Sequence, residues 1–431
     1  MPVCRGFPGI LPLMFEVRMK DNKEYDVLVV GAGAAGMFAA VTAAQGGAVT
    51  AVAERNGKVG RKLAITGKGR CNVTNNCDVE TVMKNLPKNP KFMYSALSSC
   101  PPSEIMNFFE GEGVPLKTER GNRVFPVSDK AYDIVDALYS KMKKLGVKLI
   151  NTRVTEVCAD NGRVTGVMTE NGFIAAKNVI IATGGMSYPG TGSDGDGYAF
   201  AKALGHTVTE IKPSLVPLET AEDCSGAAGL SLKNIVLSVY ETGKKKPLYK
   251  EQGEMLFTHT GISGPLVLSA SSVMGTVTAE KYTAYIDFKP ALDRETLDRR
   301  IMRDFEERKN IKLANALRKL LPESAIPLVL AASGADGEKQ CNSVTKAERE
   351  SLTDTVKALP LHITAYRPIS EAIITDGGVS VKEIDPKTMR SKLVEGLYFA
   401  GEIIDVTGFT GGFNLQTAFA TGKAAGSACV N

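Results

Sequence analysis

The chain has 431 residues, 43% of them hydrophobic and 23% charged, and a net charge of +5 from 52 basic and 47 acidic side chains. That length exceeds one ordinary core and predicts two or three domains, while a charge so near balance gives no reason to expect a nucleic-acid partner. The eight cysteines (Cys4, Cys71, Cys77, Cys100, Cys158, Cys224, Cys341, Cys429) form no CxxC pair and the three histidines no cluster, which excludes a disulfide frame and a zinc site. No stretch approaches the roughly 18 uninterrupted apolar residues of a membrane span. These features predict a cytoplasmic protein with reduced thiols, and they set no oligomeric state.

Residues 1–24 precede the first strand. Gly6–Phe15 is apolar but carries two prolines and no small-residue cleavage site follows, so a signal peptide is rejected and 1–24 is expected to be a loose extension. Tyr25–Gly36 reads YDVLVVGAGAAG: a strand running into Gly31-x-Gly33-x-x-Gly36, followed by an Ala-rich helix over Met37–Gln45 and a second apolar run, Ala48–Ala53, that finishes at Glu54. Strand, glycine turn, helix, strand and acid together predict a dinucleotide site. Gly31 makes the tight turn, Gly33 lets a pyrophosphate approach, and Gly36 lets the helix pack on the strand. Glu54 stands where an acid accepts hydrogen bonds from a ribose.

Arg55, Lys58, Arg61, Lys62, Lys68 and Arg70 then alternate with Gly57, Gly60, Gly67 and Gly69. We read this segment as a loop wrapping the cofactor, its cations turned to the pyrophosphate, and Cys71 within it as a packing residue. Residues 80–145 alternate helices and short loops. Val154–Ala159, Arg163–Glu170 and Phe173–Ala176 are strand-like and joined at Asn161-Gly162 and Asn171-Gly172, the strongest short hairpin signal, so a three-stranded meander is predicted. Asn178–Ala182 follows as a buried parallel strand, ending in Thr183-Gly184-Gly185, where small residues let the chain pass close to a cofactor. That order is the second half of a flavin-type Rossmann domain. A further GxGxxG, Gly190–Gly195, follows Tyr188-Pro189 instead of a strand. It is read as a loop feeding the helix Gly197–Leu204, capped by Ser193, Asp194 or Asp196. One fingerprint means no separate nicotinamide-binding Rossmann domain.

From Gly205 the pattern turns to short β-type runs. Gly261-Ile-Ser263-Gly264 misses the GxSxG elbow by one residue, which excludes a serine hydrolase. Residues 292–359 have helical spacing and mixed charge. The basic run Arg299–Arg318 is broken by Asp304, Glu306 and Glu307 and reads as a solvated helix face. Sheet-like sequence returns at Leu361. Leu397–Ala400 reads as the last parallel strand, closing in Gly401-Glu402, where an acid can bind ribityl hydroxyls. Gly411-Gly412 then open a helix whose N-terminus faces the N1/O2 edge of a flavin.

Gly60–Asn75 (GRKLAITGKGRCNVTN), Phe257–Pro265 (FTHTGISGP) and Gly396–Gly426 (GLYFAGEIIDVTGFTGGFNLQTAFATGKAAG) resemble the NAD(P)/FAD-dependent oxidoreductase family that includes bacterial aminoacetone oxidase and a dehydro-bile-acid double-bond reductase. The resemblance runs from Tyr25 nearly to the end of the chain. It implies an α/β fold: a glutathione-reductase-like, Rossmann-type FAD-binding domain with an inserted β-rich domain carrying a helical subdomain. The expected division is 25–204 with 361–431 for the FAD domain, 205–290 for the β-rich insertion and 291–360 for its helices. Carried over residue by residue, the FAD contacts fall on Gly31, Gly33, Ala35, Gly36, Glu54, Arg61, Lys62, Asn72, Glu402, Asn414 and Leu415, with the Val154 backbone at adenine. Thr183, Gly184 and Gly401 join them as the turns at the strand ends.

The activity implied is FAD-dependent reduction, with NAD(P)H as a transient donor and a small organic acceptor such as a conjugated enone. An amine oxidase using O2 is the alternative. A nucleic-acid-binding flavoprotein, using Lys244–Lys246 and Arg299–Arg318, is set aside. Tyr188 and His259 are expected near the pocket, and no catalytic residue is assigned because a hydride transfer needs no essential acid.

Overall fold

The computed structural model describes residues 24–430. The extension read for 1–24 therefore lies, apart from Glu24, outside the described residues. The chain divides into two compact units, one built from residues up to 212 together with those from 373 onward, the other from 213–372.

The first unit is built on a seven-stranded mixed sheet whose central strands are parallel. Strand β1 (Tyr25–Val30) pairs in parallel with β2 (Thr50–Glu54) on one side and with Gly172–Ile181 on the other; β2 pairs in turn with Lys148–Asn151. Leu397–Phe399 adds to Gly172–Ile181, again in parallel. Val27, Leu28 and Val29 are wholly buried, as expected of a strand with helices on both faces. Helix α1 (Ala34–Gln45) is apolar nearly all round and sits inside the unit, as such helices do. The long helix Phe413–Ala428 lies against it. A methyl group on Gly422 would come within 2.5 Å of the Ala35 carbonyl, and one on Gly426 within 2.4 Å of that of Ala39.

Two readings are corrected here. The third run of the meander and the parallel strand are one element, Gly172–Ile181. Its first residues pair antiparallel with Arg163–Thr169 and the rest, from Ala176, in parallel with β1. No Gly or Pro interrupts Phe173–Ile181, and the partner changes between Ala175 and Ala176, where no breaker ends the strand. Of the two Asn-Gly pairs only the first has positive φ at both residues (Asn161 49°, Gly162 78°); at the second, Gly172 alone does. That second turn is held by the Thr169 hydroxyl, which accepts from the Asn171 N–H.

The second unit is a closed six-stranded barrel in the order Leu218–Thr220, Gly261–Ser263, Tyr249–Thr258, Ser231–Glu241, Tyr282–Asp287, Leu359–Tyr366. The last strand returns to pair with the first. Helices Arg294–Glu307, Leu313–Ala316, Ile326–Ser333 and Lys346–Lys357 lie between the last two strands in sequence. The barrel and these helices share a core of their own, including Leu237, Val239, Phe257, Ile286 and Leu361 with Leu297, Leu352 and Val356. The sheet-like sequence from Leu361, read as the return to the FAD domain, is thus the strand that closes the barrel, and the unit division falls after Ala372. No helix among the described residues is long and apolar enough to cross a membrane.

Candidate FAD site

The site forms at the carboxyl ends of the parallel strands, where a ligand crevice opens in folds of this kind. Here β1 turns into α1, β2 ends in Glu54, Gly172–Ile181 runs into Thr183-Gly184, and Leu397–Phe399 into Gly401-Glu402. The Gly31 N–H donates to the Ala53 carbonyl (2.9 Å), and the Ala182 N–H to that of Val30 (2.9 Å). A methyl on Gly31 would approach the Ala182 oxygen at 2.8 Å, and one on Gly36 the Gly31 oxygen at 1.9 Å. A methyl on Gly33 would meet no protein atom within 4 Å, and no side chain caps the α1 N-terminus. Its N–H groups and positive dipole end thus face open space beside Gly33, as a pyrophosphate requires.

Glu54 is buried and oriented. Its Oε2 accepts from the Ala32 N–H (2.7 Å), while Oε1 accepts from the Asn56 backbone and side-chain N–H groups (2.8 and 2.7 Å). The Thr152 N–H donates to the Glu54 carbonyl, which brings Val154, buried at the start of its strand, to the same end of the sheet. The basic segment after Glu54 is helical in part and not a plain loop: α2 spans Arg61–Gly69, with non-helical backbone at Thr66–Lys68. Its cations also divide. The Arg61 guanidinium bonds Asn56 Oδ1 (2.7 Å), and Lys62 Nζ reaches Glu402 Oε2 and Ser187 Oγ (2.6 Å each). Arg55 instead pairs with Asp194 and Asp196, and Arg70 with Glu119 and Asp129 while stacking on Phe125. Those two cations are engaged by carboxylates of neighbouring loops. The Asp194 and Asp196 side chains are accordingly taken up by Arg55 and Arg153, and the helix Asp196–Ala203 starts from Gly195 with no side-chain cap.

Glu402 is the hub of the second half. Besides Lys62, it accepts from the Ser187 hydroxyl (2.9 Å) and the Thr375 N–H (2.8 Å). Thr375 Oγ1 accepts from the N–H groups of Met186 and Ser187 in turn. Local sequence points to neither Ser187, in the turn after Gly172–Ile181, nor Thr375, inside the short strand Ile374–Asp376. Gly184 and Gly401 pack tightly here: a methyl on Gly184 would lie 3.0 Å from Ser193 Oγ, and one on Gly401 2.7 Å from Ala35 Cβ. The Thr183 hydroxyl is buried without a hydrogen-bond partner, as is Asn72 Oδ1.

The helix Phe413–Ala428 begins after Gly412, whose φ of 101° suits only glycine, and its N-terminus has no side-chain cap. Asn414 fixes the loop ahead of it, accepting from the Gly408 N–H (2.9 Å) and donating to the Gly408 carbonyl (2.8 Å). Leu415 is half-buried against the core. Lys88 clips the same loop, bonding Asp405 (2.7 Å) and Asp376 (3.0 Å). Burial works against the Lys88 charge, but the two aspartates outweigh it and its pKa is raised. The Cys71 thiol is wholly buried, which pushes its pKa up to about 12 and leaves it a packing group. Tyr188 is half-buried beside Ser187, whereas His259 is exposed in a turn of the barrel unit. Among the described residues, no group of side chains could hold a metal.

Two uncapped helix ends, the open approach at Gly33, an oriented acid at β2 and two unpartnered buried oxygens fit FAD. A family model described as the HI0933-like protein Rossmann domain matches residues 25–428. The chain is 29% identical over 405 residues to a 3-dehydro-bile acid delta(4,6)-reductase of Clostridium scindens, covering 93% of this chain and 98% of that protein. It is 32% identical over 404 residues to a ribosomal RNA dihydrouridine synthase of Haemophilus influenzae, covering 92% and 96%. Among solved structures, a 3-ketosteroid delta1-dehydrogenase of Sterolibacterium denitrificans shares the fold at 14% identity, with a TM-score of 0.52 over 94% of this chain and 99% of that one. The chain belongs to the HI0933-like Rossmann family and is an FAD-dependent oxidoreductase.

Proposed function

We propose that this protein reduces a carbon–carbon double bond conjugated to a carbonyl. The observation that carries the reading is that full-length relatives with different named substrates are all named for saturating such a bond in a ring: the dienone of a 3-dehydro bile acid in one and the uracil of a ribosomal RNA in two others. Bound FAD would supply hydride transfer, with NAD(P)H as the donor that recharges it. The chain's own groups hold and orient. The α1 N-terminus would take the pyrophosphate and Glu54 the ribose. The N–H groups at the start of Phe413–Ala428 would favour negative charge at the pyrimidine edge of the flavin, with Asn414 and Lys88 fixing the loop ahead of them. Lys62, Ser187 and Thr375 hold the Glu402 carboxylate in one orientation at the ribityl position.

Two acceptor classes follow, a steroid-like enone and a uracil base in RNA, at nearly equal identity (29% against 32% and 30%), and we take the second, to which two of the full-length relatives point. The test is anaerobic. The protein is reduced with NADH or NADPH, then mixed separately with a 3-oxo-4,6-diene bile acid and with uridine-rich ribosomal RNA, while flavin absorbance near 450 nm is followed. Its return with either acceptor supports the reading, and the acceptor that restores it names the class. If neither nicotinamide bleaches the flavin while an amine does, the protein is an amine oxidase and the reading fails.

A further inference from the structure

Two basic features lie in the barrel unit, and the structure separates them. Along Arg299–Arg318 four of the seven cations are paired within the unit, and the other three, Arg299, Arg303 and Arg308, are not adjacent in sequence. Arg300 pairs with Asp304 (2.8 Å), Lys309 with Glu306, Lys312 with Glu338 (2.5 Å) and Arg318 with Glu323 (2.7 Å). At the tip of the hairpin joining Ser231–Glu241 to Tyr249–Thr258, by contrast, Lys244, Lys245 and Lys246 are exposed, and no described acid pairs with any of them. Their neighbour Glu241 faces Lys281 instead, at 3.9 Å.

Strand register shows what stands beside that tip. Ser238 is opposite Lys250 on one side and Tyr285 on the other, and Tyr240 is opposite Thr283. Residues directly opposite share a face. Leu237, Val239, Ala284 and Ile286 are fully buried inside the barrel, so Tyr240, Tyr285 and Lys250 lie on its outside. The two tyrosine rings are half-buried and meet edge to face, 5.6 Å apart at 87°. Of the acids on this face, Asp287 is held by Lys357 (2.6 Å) and Glu222 by His362 (2.6 Å), the residue opposite Thr283; Glu254 lies further along the strand.

Unpaired cations at a strand end beside aromatic rings form a stacking platform with phosphate contacts, the arrangement that takes single-stranded nucleic acid. Leu248 is the one large exposed apolar side chain at the tip, too little to insert into a lipid surface. We propose that this face binds single-stranded RNA, with Lys244–Lys246 and Lys250 on the phosphates and Tyr240 and Tyr285 against a base. The proposal rests on the reading of a uracil acceptor in RNA.

The test uses the full-length FAD-loaded protein and a labelled single-stranded oligouridine, with affinity measured by anisotropy across a salt titration. Replacing the three lysines together (Lys244→Gln, Lys245→Gln, Lys246→Gln) is expected to cut the slope of log affinity against log salt by about 2, since each phosphate contact on a single strand contributes about 0.7. Tyr240→Ala is expected to weaken binding about tenfold, whereas Tyr240→Phe, which keeps the ring, leaves it unchanged. Reoxidation of the reduced protein by a small enone stays the same in every variant that folds. Wild-type RNA affinity and salt slope in the lysine variant overturn the proposal. So does a loss of binding to phosphatidylserine vesicles with RNA binding intact, which would mark a membrane patch. If RNA fails to reoxidise the reduced protein but the variants still lose binding, the uracil reading falls and the surface stands. If RNA reoxidises it and the variants bind normally, the surface falls alone.

Discussion

Gly33 and Gly36 are three residues apart, yet their replacement should fail in different ways. A methyl on Gly36 has nowhere to go, lying 1.9 Å from the Gly31 oxygen, so Gly36→Ala must displace the turn into α1. That costs the fold about 1–3 kcal/mol and should appear as a lowered melting temperature in apoprotein and holoprotein alike. A methyl on Gly33 meets no protein atom, so Gly33→Ala should melt like wild type when apo yet lose FAD, measured as the ratio of flavin to protein absorbance. An unchanged ratio would mean that the pyrophosphate does not pass Gly33.

His206 carries a pH prediction. It is buried, edge-on to Phe399 at 4.9 Å, with Nε2 2.8 Å from Ser391 Oγ and Nδ1 3.3 Å from Glu383. Ser391 Oγ already accepts from two backbone N–H groups, so its proton points at Nε2, while Nδ1 faces Glu383 without a hydrogen bond. Burial lowers the His206 pKa, with Glu383 opposing, so the folded state keeps the ring neutral at pH values where the unfolded chain has protonated it. The unfolded chain then binds the extra proton, and stability falls as pH drops below the ordinary histidine value of about 6.5. His206→Gln should flatten the melting-temperature profile between about pH 6.5 and 5; an unchanged slope there would assign the loss to other groups. At this scale the glycines and Glu54 were legible because they sit within one short motif. Ser187 and Thr375 were not, because they meet Glu402 across 215 and 27 residues and no local pattern records such a meeting.

Among elements, the tightest joint is between α1 and the helix Phe413–Ala428, which cross where Gly422 and Gly426 face the carbonyls of Ala35 and Ala39. Both helices end at the cofactor site, so their spacing sets the distance between the two uncapped N-termini. Gly426→Ala is expected to cost about 1–3 kcal/mol by forcing the helices apart, and to weaken FAD binding although no atom of Gly426 is at the site. Equal FAD affinity in a destabilised variant would show that the two ends are not coupled. The βαβ unit and the last parallel strand were readable because each carries its own turn chemistry. The closing barrel strand Leu359–Tyr366 was not, since its alternating pattern suits either unit and only its partners, Tyr282–Asp287 and Leu218–Thr220, decide which. Helix α2 was hidden by its glycines, which signal a loop although five of its residues, Arg61–Ile65, precede the first non-helical position.

For the molecule as a whole, each unit has a hydrophobic core of its own, and the elements that fit FAD all lie in the first. Calorimetry should therefore resolve two transitions, of which FAD raises one. At a free concentration of about 100 times its dissociation constant the gain is about 2.7 kcal/mol, confined to the first unit. An equal upward shift of both would mean that the protein melts as one body. Two units were expected from length and from the separated halves of the flavin motif; where the chain passes between them was not, because the breakers there, Pro213 near one crossing and Pro368 near the other, are no different from those elsewhere in a chain with 20 prolines and 43 glycines.

The strand Gly172–Ile181 also has a consequence in time. Its edge at Val179–Ile181 is completed only by Leu397–Phe399. A ribosome adding about 5–20 residues per second must make roughly 200 more before that partner exists, which leaves an apolar sheet edge open for some 10–40 seconds. A nascent chain of this protein should be a client of edge-shielding chaperones until its last strand emerges, and a chain cut short before Leu397 should stay colourless and prone to aggregate.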